Sequence, residues 1–295
     1  MRSYLFVPAD SARKLDKAMT SGADALIVDL EDSIALDAKA RARESAAAFL
    51  KHATATAQRP YLMVRLNGLQ TGLTDADLDA IAPAKPDAIM LPKAEGGASV
   101  VHADAKLAVR EAKCELPDGH VKILPIVTET AAAMFVAGTF AGASTRLIGL
   151  TWGAEDLSAE LGAQANRDAE GRFLDPYRLA RALCLVGASA AGVPAIDTVF
   201  VDFRDSTGFR RECIEACRDG FVGKIAIHPA QVPIINEVFA PSPEALARAQ
   251  SIVEAFAAAP SAGVVGIGGV MYDRPHLARA KLLLARSPSP QGGRQ

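Results

Sequence analysis

At 295 residues and 30.9 kDa, with half of its residues hydrophobic and 22% charged, the chain is too apolar to be disordered or collagen-like and has enough core for one large domain. A net charge of −2 and a pI near 6.2 exclude global attraction to nucleic acid or anionic lipid, so small-molecule partners are expected, with anions held by local basic groups. Cys114, Cys184, Cys213 and Cys217 are few for this length and read as buried free thiols rather than a disulfide framework or a zinc site. The opening Met1-Arg2-Ser3-Tyr4-Leu5-Phe6-Val7-Pro8 is too short in apolar length for a signal peptide or membrane span, so a cytoplasmic protein with no membrane partner is expected.

In chain order, eight apolar runs of strand length are predicted at 3–7, 25–30, 61–66, 88–91, 122–127, 146–150, 198–202 and 224–227. Turn or charged residues follow each one, and then a helix-like segment. Eight βα units predict an α/β fold, a (β/α)₈ TIM barrel. The alternative is a doubly wound open sheet, but Val7-Pro8-Ala9-Asp10 stands after the first strand where a glycine-rich nucleotide fingerprint belongs. A helix is predicted over 244–258, followed by the glycine-rich stretch 262–269 and a last amphipathic segment to about 286. The expected organisation is therefore a catalytic barrel over 1–240 and a C-terminal helical extension and lid over 241–286. Residues 287–295, rich in proline, glycine and polar groups, are expected to form a disordered tail.

Barrels place their chemistry at the C-terminal ends of the strands, and here those ends are charged. The second run ends in Asp29-Leu30-Glu31-Asp32-Ser33, the third in Arg65-Leu66-Asn67-Gly68 and the fourth in Pro92-Lys93-Ala94-Glu95. Glu129-Thr130 follows the fifth, Glu155-Asp156 the sixth, Asp202-Phe203-Arg204-Asp205 the seventh and His228-Pro229 the eighth. Carboxylates that converge on one mouth repel unless a cation compensates. Glu129 and Asp156, on neighbouring strands without histidine or cysteine nearby, suit a hard cation such as Mg²⁺ or Mn²⁺. Each also stands where it could cap the following helix. Arg65 suits bidentate contact with a carboxylate, either a substrate's or that of Asp29 or Glu31.

The series Phe6-Val7-Pro8, Asp29-Leu30-Glu31-Asp32-Ser33, Val64-Arg65-Leu66-Asn67, Leu91-Pro92-Lys93, Glu129-Thr130 and Gly153-Ala154-Glu155-Asp156-Leu157 resembles the citrate lyase β subunit family. That family belongs, with the malyl-CoA and citramalyl-CoA lyases, to the HpcH/HpaI aldolase superfamily. The resemblance runs from near Arg2 to about Arg279. It implies that Glu129 and Asp156 are the metal ligands and that Glu129 also binds substrate. Arg65 becomes the catalytic, substrate-facing cation, with Asp29 and Glu31 supporting it from behind. Gly269-Val270-Met271-Tyr272-Asp273-Arg274-Pro275 resembles the family segment that reaches over a neighbouring subunit's mouth, which implies an acid–base role for Asp273 and a homotrimer. An N-cap is the other reading of Asp273, because Pro275 follows it.

Arg13 and Lys14, and with them Lys93, are candidates for the coenzyme A phosphates; a solvated helix face is their alternative. Docking of apolar Val270 and Met271 is expected to raise the Asp273 pKa. Trp152 reads as a packing residue, and His228 as a mouth residue of unassigned role. The implied reaction is carbon–carbon cleavage or condensation between an acyl thioester and a 2-oxo acid. The rivals are a metal-dependent aldolase of free pyruvate, a citrate lyase β subunit acting on acyl carrier protein, and a barrel that has kept the fold and lost the reaction.

Overall fold

The structure is a computed structural model and describes residues 1–285; the tail expected over 287–295 lies outside the described residues. Eight parallel strands run β1 Ser3–Pro8, β2 Ala25–Asp29, β3 Tyr61–Arg65, β4 Ala88–Leu91, β5 Lys122–Pro125, β6 Leu150–Thr151, β7 Ala195–Asp197 and β8 Gly223–Ala226. They hydrogen-bond in the order β5-β4-β3-β2-β1-β8-β7-β6. Single parallel bridges, Ile123 to Leu147 and Ile126 to Thr151, join the two ends and close a barrel. The intervening helices are α1 Ala12–Ala18, α2 Lys39–Thr54, α3 Thr74–Ile81, α4 Gly97–Lys113, α5 Ala131–Met134, α6 Ala154–Glu160, α7 Asp175–Ala190 and α8 Ser206–Asp219, with α9 Val232–Val238 after the last strand. The (β/α)₈ expectation holds. No helix among the described residues is long and apolar enough to cross a membrane.

Alternation along the strands decides what faces the barrel axis. Tyr4, Ile27, Met63, Met90, Leu124, Ile126, Ile196 and Ile225 pack together as one buried cluster, with Phe6 against it. Because side chains repeat every second residue, the next position on the Ile27 face is Asp29, and on the Met63 face it is Arg65. Parallel pairing places these two side by side. The apolar interior thus gives way to an ion pair at the C-terminal rim.

Two strands depart from the sequence expectation. β7 is Ala195–Asp197 instead of 198–202: Asp197, just before the expected run, pairs in the ladder with Lys224 of β8, whose Nζ donates to its carboxylate. β6 is Leu150–Thr151 instead of 146–150. Arg146 leaves the strand to be clamped by Asp104, Glu111 and Asp118.

Contacts divide the chain into Met1–Glu237 and Val238–Gln295. In the second unit α10 Pro243–Ala258 and α11 Arg274–Ala285 flank a hairpin of β9 Val264–Ile267 and β10 Val270–Asp273. Its two-residue turn is Gly268-Gly269, both at positive φ (57° and 79°), the geometry that suits the right-handed twist of paired strands. The segment read as a glycine-rich arm is therefore ordered sheet. Ile252, Phe256 and Leu277 form its small core.

Candidate active site at the barrel mouth

Asp29 and Arg65 make a two-pronged ion pair, Nε to Oδ1 and Nη2 to Oδ2, both 2.7 Å. Burial alone would raise the Asp29 carboxyl, but the Arg65 fork overcomes it and holds the group below its ordinary value. Asp29 also accepts from the main-chain N–H groups of Glu31 and Ser33, so the loop after β2 is folded around this carboxylate. Arg65 lies over the Phe6 ring at 4.6 Å, and its Nη1 stands 3.1 Å from Glu31 Oε2. Glu31 is 5% exposed; burial pushes its carboxyl up to about 7 despite the nearby Arg65 and Lys93 charges.

Lys93 contributes more than the sequence suggested. It adopts a left-handed backbone (φ 51°), which costs a non-glycine residue roughly 1 kcal/mol or more. In that conformation its N–H donates to Glu129 Oε2 at 2.6 Å. Its Nζ stands 2.6 Å from Glu31 Oε1 and 3.0 Å from Asp156 Oδ1. The structure thus sets Lys93 within the carboxylate cluster, where burial opposes its charge but Glu31, Glu129 and Asp156 together hold its pKa above the ordinary value.

Glu129 is 3% exposed, and its carboxyl is pushed up to about 8, first by burial and then by the Asp156 charge. Gly153 makes room for it: a Cβ there would come within 2.7 Å of Glu129 Cγ. Asp156 sits in the first turn of α6, partly exposed. Arg65, Glu129 and Asp156 line one cavity of about 330 Å³, whose apolar wall includes Phe6, Ile126 and Trp152.

The donor set suits a hard divalent ion. Five carboxyl groups, Asp29, Glu31, Asp32, Glu129 and Asp156, gather around three cations, Arg65, Lys93 and Lys39, so carboxyls outnumber cations. Glu129 and Asp156 offer oxygen alone, leaving further positions for water and substrate oxygens. No group of three or more His, Cys, Asp or Glu side chains among the described residues is placed to hold a metal ion, so Glu129 and Asp156 would hold it as a pair.

Other expected residues fall elsewhere. Arg13 and Lys14 lie exposed on α1, just after β1. Asp273 caps α11 through His276 N–H and is hydrogen-bonded to His276 Nδ1. That side-chain bond holds its carboxyl below the ordinary value in the single chain. His228 is accounted for structurally: it caps the turn after β8, pairs reciprocally with Gln231 and stacks on Phe203. Trp152 is buried and donates to Asp197 at 2.8 Å, a packing role as expected. Cys184 and Cys213 are buried, whereas Cys114 is half-buried and Cys217 exposed, so burial holds for only two of the four thiols.

The HpcH/HpaI aldolase/citrate lyase family model matches residues 2–229. The chain belongs to that family. Among its similar relatives, a (3S)-malyl-CoA thioesterase of Cereibacter sphaeroides is 37% identical over 97% of this chain and 94% of its own length. Citrate lyase subunit beta of Haemophilus influenzae is 35% identical over 98% and 97%. Protein CitE of Mycobacterium tuberculosis, solved with magnesium, acetoacetate and coenzyme A, superposes with a TM-score of 0.76 at 34% identity, covering 97% of each chain. The family's name joins aldolases and lyases, while the thioesterase relatives show that close sequence likeness within it spans more than one reaction.

Proposed function

We propose that this family member breaks and forms the carbon–carbon bond of a 3-hydroxyacyl thioester of the malyl-, citramalyl- or citryl-CoA type, linking it to an acyl-CoA and a 2-oxo acid. The carrying observation is the excess of carboxylate around Glu129 and Asp156 beside Arg65 in one cavity. Glu129 and Asp156 would hold magnesium, or manganese as an equivalent hard cation; bound there, the ion supplies Lewis-acid polarisation to the oxygens of the 2-oxo acid part. Complexes of the M. tuberculosis relative with magnesium and oxaloacetate and with magnesium and pyruvate support this reading.

Arg65, fixed on two sides by Asp29, offers its charge to the oxygen of the thioester enolate as the bond breaks. Lys93 and Glu31 keep the surrounding loops in register. As the carbon–carbon bond breaks, the 3-hydroxyl gives up its proton to become the carbonyl of the 2-oxo acid, and the enolate carbon takes one from Asp273, supplied by a neighbouring subunit of a homotrimer, so the proton count is unchanged; condensation reverses both transfers, the same carboxylate removing the α-proton. Exposed Arg13 and Lys14 are assigned to the coenzyme A phosphates.

The thioesterase relatives favour one second reading, hydrolysis of the thioester itself. Purified protein incubated with (3S)-malyl-CoA and magnesium separates the two. Carbon–carbon cleavage yields glyoxylate and acetyl-CoA, whereas hydrolysis yields malate and free thiol. Glyoxylate release that disappears in Glu129→Ala and Asp156→Ala is expected; free thiol without glyoxylate would replace the lyase reading with the hydrolase.

A further inference from the structure

We infer that the mouth selects among 2-oxo acids: it takes monocarboxylic ones, pyruvate ahead of glyoxylate, and rejects those that carry a second carboxylate, such as oxaloacetate. The inference rests on the lyase reading and deepens it. Malyl-, citramalyl- and citryl-CoA share one acetyl-CoA half and differ only in the substituent on the 2-oxo acid half, which is hydrogen, methyl or carboxymethyl. Pyruvate and oxaloacetate both occur in complexes of the M. tuberculosis relative, so the choice between them falls to this chain's own side chains.

The cavity has no cation to spare for a second carboxylate. Arg65 is the one Lys, Arg or His among its lining residues, beside Asp29, Asp32, Glu129, Glu155 and Asp156. Its Nε and Nη2 are committed to Asp29, which leaves Nη1, 3.1 Å from Glu31, for the thioester oxygen. Lys93 stands just outside the lining. An ammonium has three N–H donors, and Lys93 Nζ has three carboxyl neighbours, Glu31 at 2.6 Å, Asp156 at 3.0 Å and Asp32 at 3.6 Å. Lys39 gives its Nζ to the main-chain oxygens of Leu30 and Glu31, both at 2.7 Å. Ser33 and Thr198 also line the cavity, but a hydroxyl hydrogen-bonds a carboxylate without cancelling its charge. A carboxymethyl group would therefore bring its charge among acids with every nearby cation already spent.

The apolar side of the cavity favours the smaller groups. It continues the barrel core: Ile126 and Ile225 belong to the buried cluster, Phe6 and Val199 pack against it, and buried Trp152 adjoins them in the lining. With the oxygens of the 2-oxo acid turned to the charged side, its remaining substituent meets this face. A methyl group gains about fourfold there for the one carbon it buries. A carboxylate loses its hydration without a partner.

The test compares the three thioesters as substrates of the full-length protein with magnesium. Alongside, pyruvate and freshly dissolved oxaloacetate are titrated as ligands and followed by the fluorescence of Trp152, the chain's one tryptophan. The kcat/KM for citramalyl-CoA should exceed that for citryl-CoA at least about tenfold, with malyl-CoA between them, and pyruvate should bind at least about tenfold tighter than oxaloacetate. Asp32→Asn and Glu155→Gln each remove one charge at constant size, and each should narrow both preferences at least about threefold with unchanged circular dichroism. Citryl-CoA cleaved as well as citramalyl-CoA, or oxaloacetate bound as tightly as pyruvate, would overturn the selection. A preference unmoved in both variants would overturn it too, by assigning the exclusion to size, and malyl-CoA ahead of citramalyl-CoA would remove the part given to the apolar face. Absence of cleavage of all three thioesters would strike the lyase reading, while the pyruvate and oxaloacetate titrations would still decide the selection.

Discussion

Two ionic clusters lie in the same barrel and differ in how their charges are answered. Beneath Trp152, Asp197, Glu212 and Asp219 face Lys224, Arg167, Arg181 and Arg218, so every carboxylate is answered by a cation. At the mouth, five carboxyl groups face three cations, Arg65, Lys93 and Lys39. The consequence appears in the carboxyl groups. Asp197, fully buried, is held below its ordinary value because Lys224 and Arg181 outweigh the burial that would raise it, whereas equally buried Glu129 is pushed up to about 8. A cluster whose carboxylates are all answered by the protein's own cations holds a fold together. An open, unbalanced one is a site prepared for a cation brought from outside, and it carries a cost in stability until that cation arrives.

Breaking the balanced cluster should have the largest effect on stability. Lys224 is fully buried and bridges Asp197 at 2.7 Å and Glu212 at 2.8 Å. Lys224→Met leaves buried Asp197 with Arg181 at 3.5 Å as its remaining cation and Glu212 with Arg167, at a cost of about 3–5 kcal/mol. Denaturant unfolding measures it. Adding Asp197→Leu should recover part of the loss, because Glu212 keeps Arg167. A single variant as stable as the parent would remove the distinction drawn between the clusters.

Arg65→Lys probes the mouth from the other side. Lysine keeps the charge but cannot reproduce the two parallel bonds to Asp29. Turnover of the thioester should fall by about 10²-fold, in line with the loss of one well-placed donor, with unfolding shifted far less than in Lys224→Met. Near-normal turnover would reject the role assigned to Arg65.

The clusters also differ in how legible they were. Strand ends are readable because buried parallel strands are continuous apolar runs: Ala-Leu-Ile-Val precedes Asp29, and Leu-Met-Val precedes Arg65. Period-two alternation then aims both at the axis, so the mouth carboxylates and Arg65 could be named from sequence. Asp197 could not, because its partner lies on the next strand and a lone acid in an apolar run reads as a strand end. The place of Lys93 among the carboxylates was not legible, since nothing in Pro92-Lys93-Ala94 announces a left-handed backbone. One signal was present and missed: the Gly268-Gly269 pair between short β-prone runs is a hairpin signature. The N-cap of Asp273 was legible, because Pro275 marks the helix start.

The smallest expected effect sharpens the comparison most, because it measures the imbalance itself. Glu129 titrates near 8 in the native, cation-free protein, against 4.5 for an unperturbed glutamate. Between those values the native state retains a proton that the unfolded chain has released, so stability is lost as pH rises through that window. Glu31, pushed up to about 7, adds in the same direction. A divalent cation needs the ionised carboxylate, so its binding expels the proton and stabilises more at high pH than at low. Thermal melts at pH 5.5 and pH 8, with chelator and with saturating magnesium, read this directly. In chelator, Tm should be lower at pH 8, by about 2–4 °C for each kcal/mol lost, and the gain from magnesium should be larger there. Glu129→Gln should flatten most of the slope and abolish the magnesium gain, leaving the Glu31 contribution. A slope unchanged in Glu129→Gln would place the pH dependence elsewhere and leave the mouth as balanced as the cluster beneath Trp152.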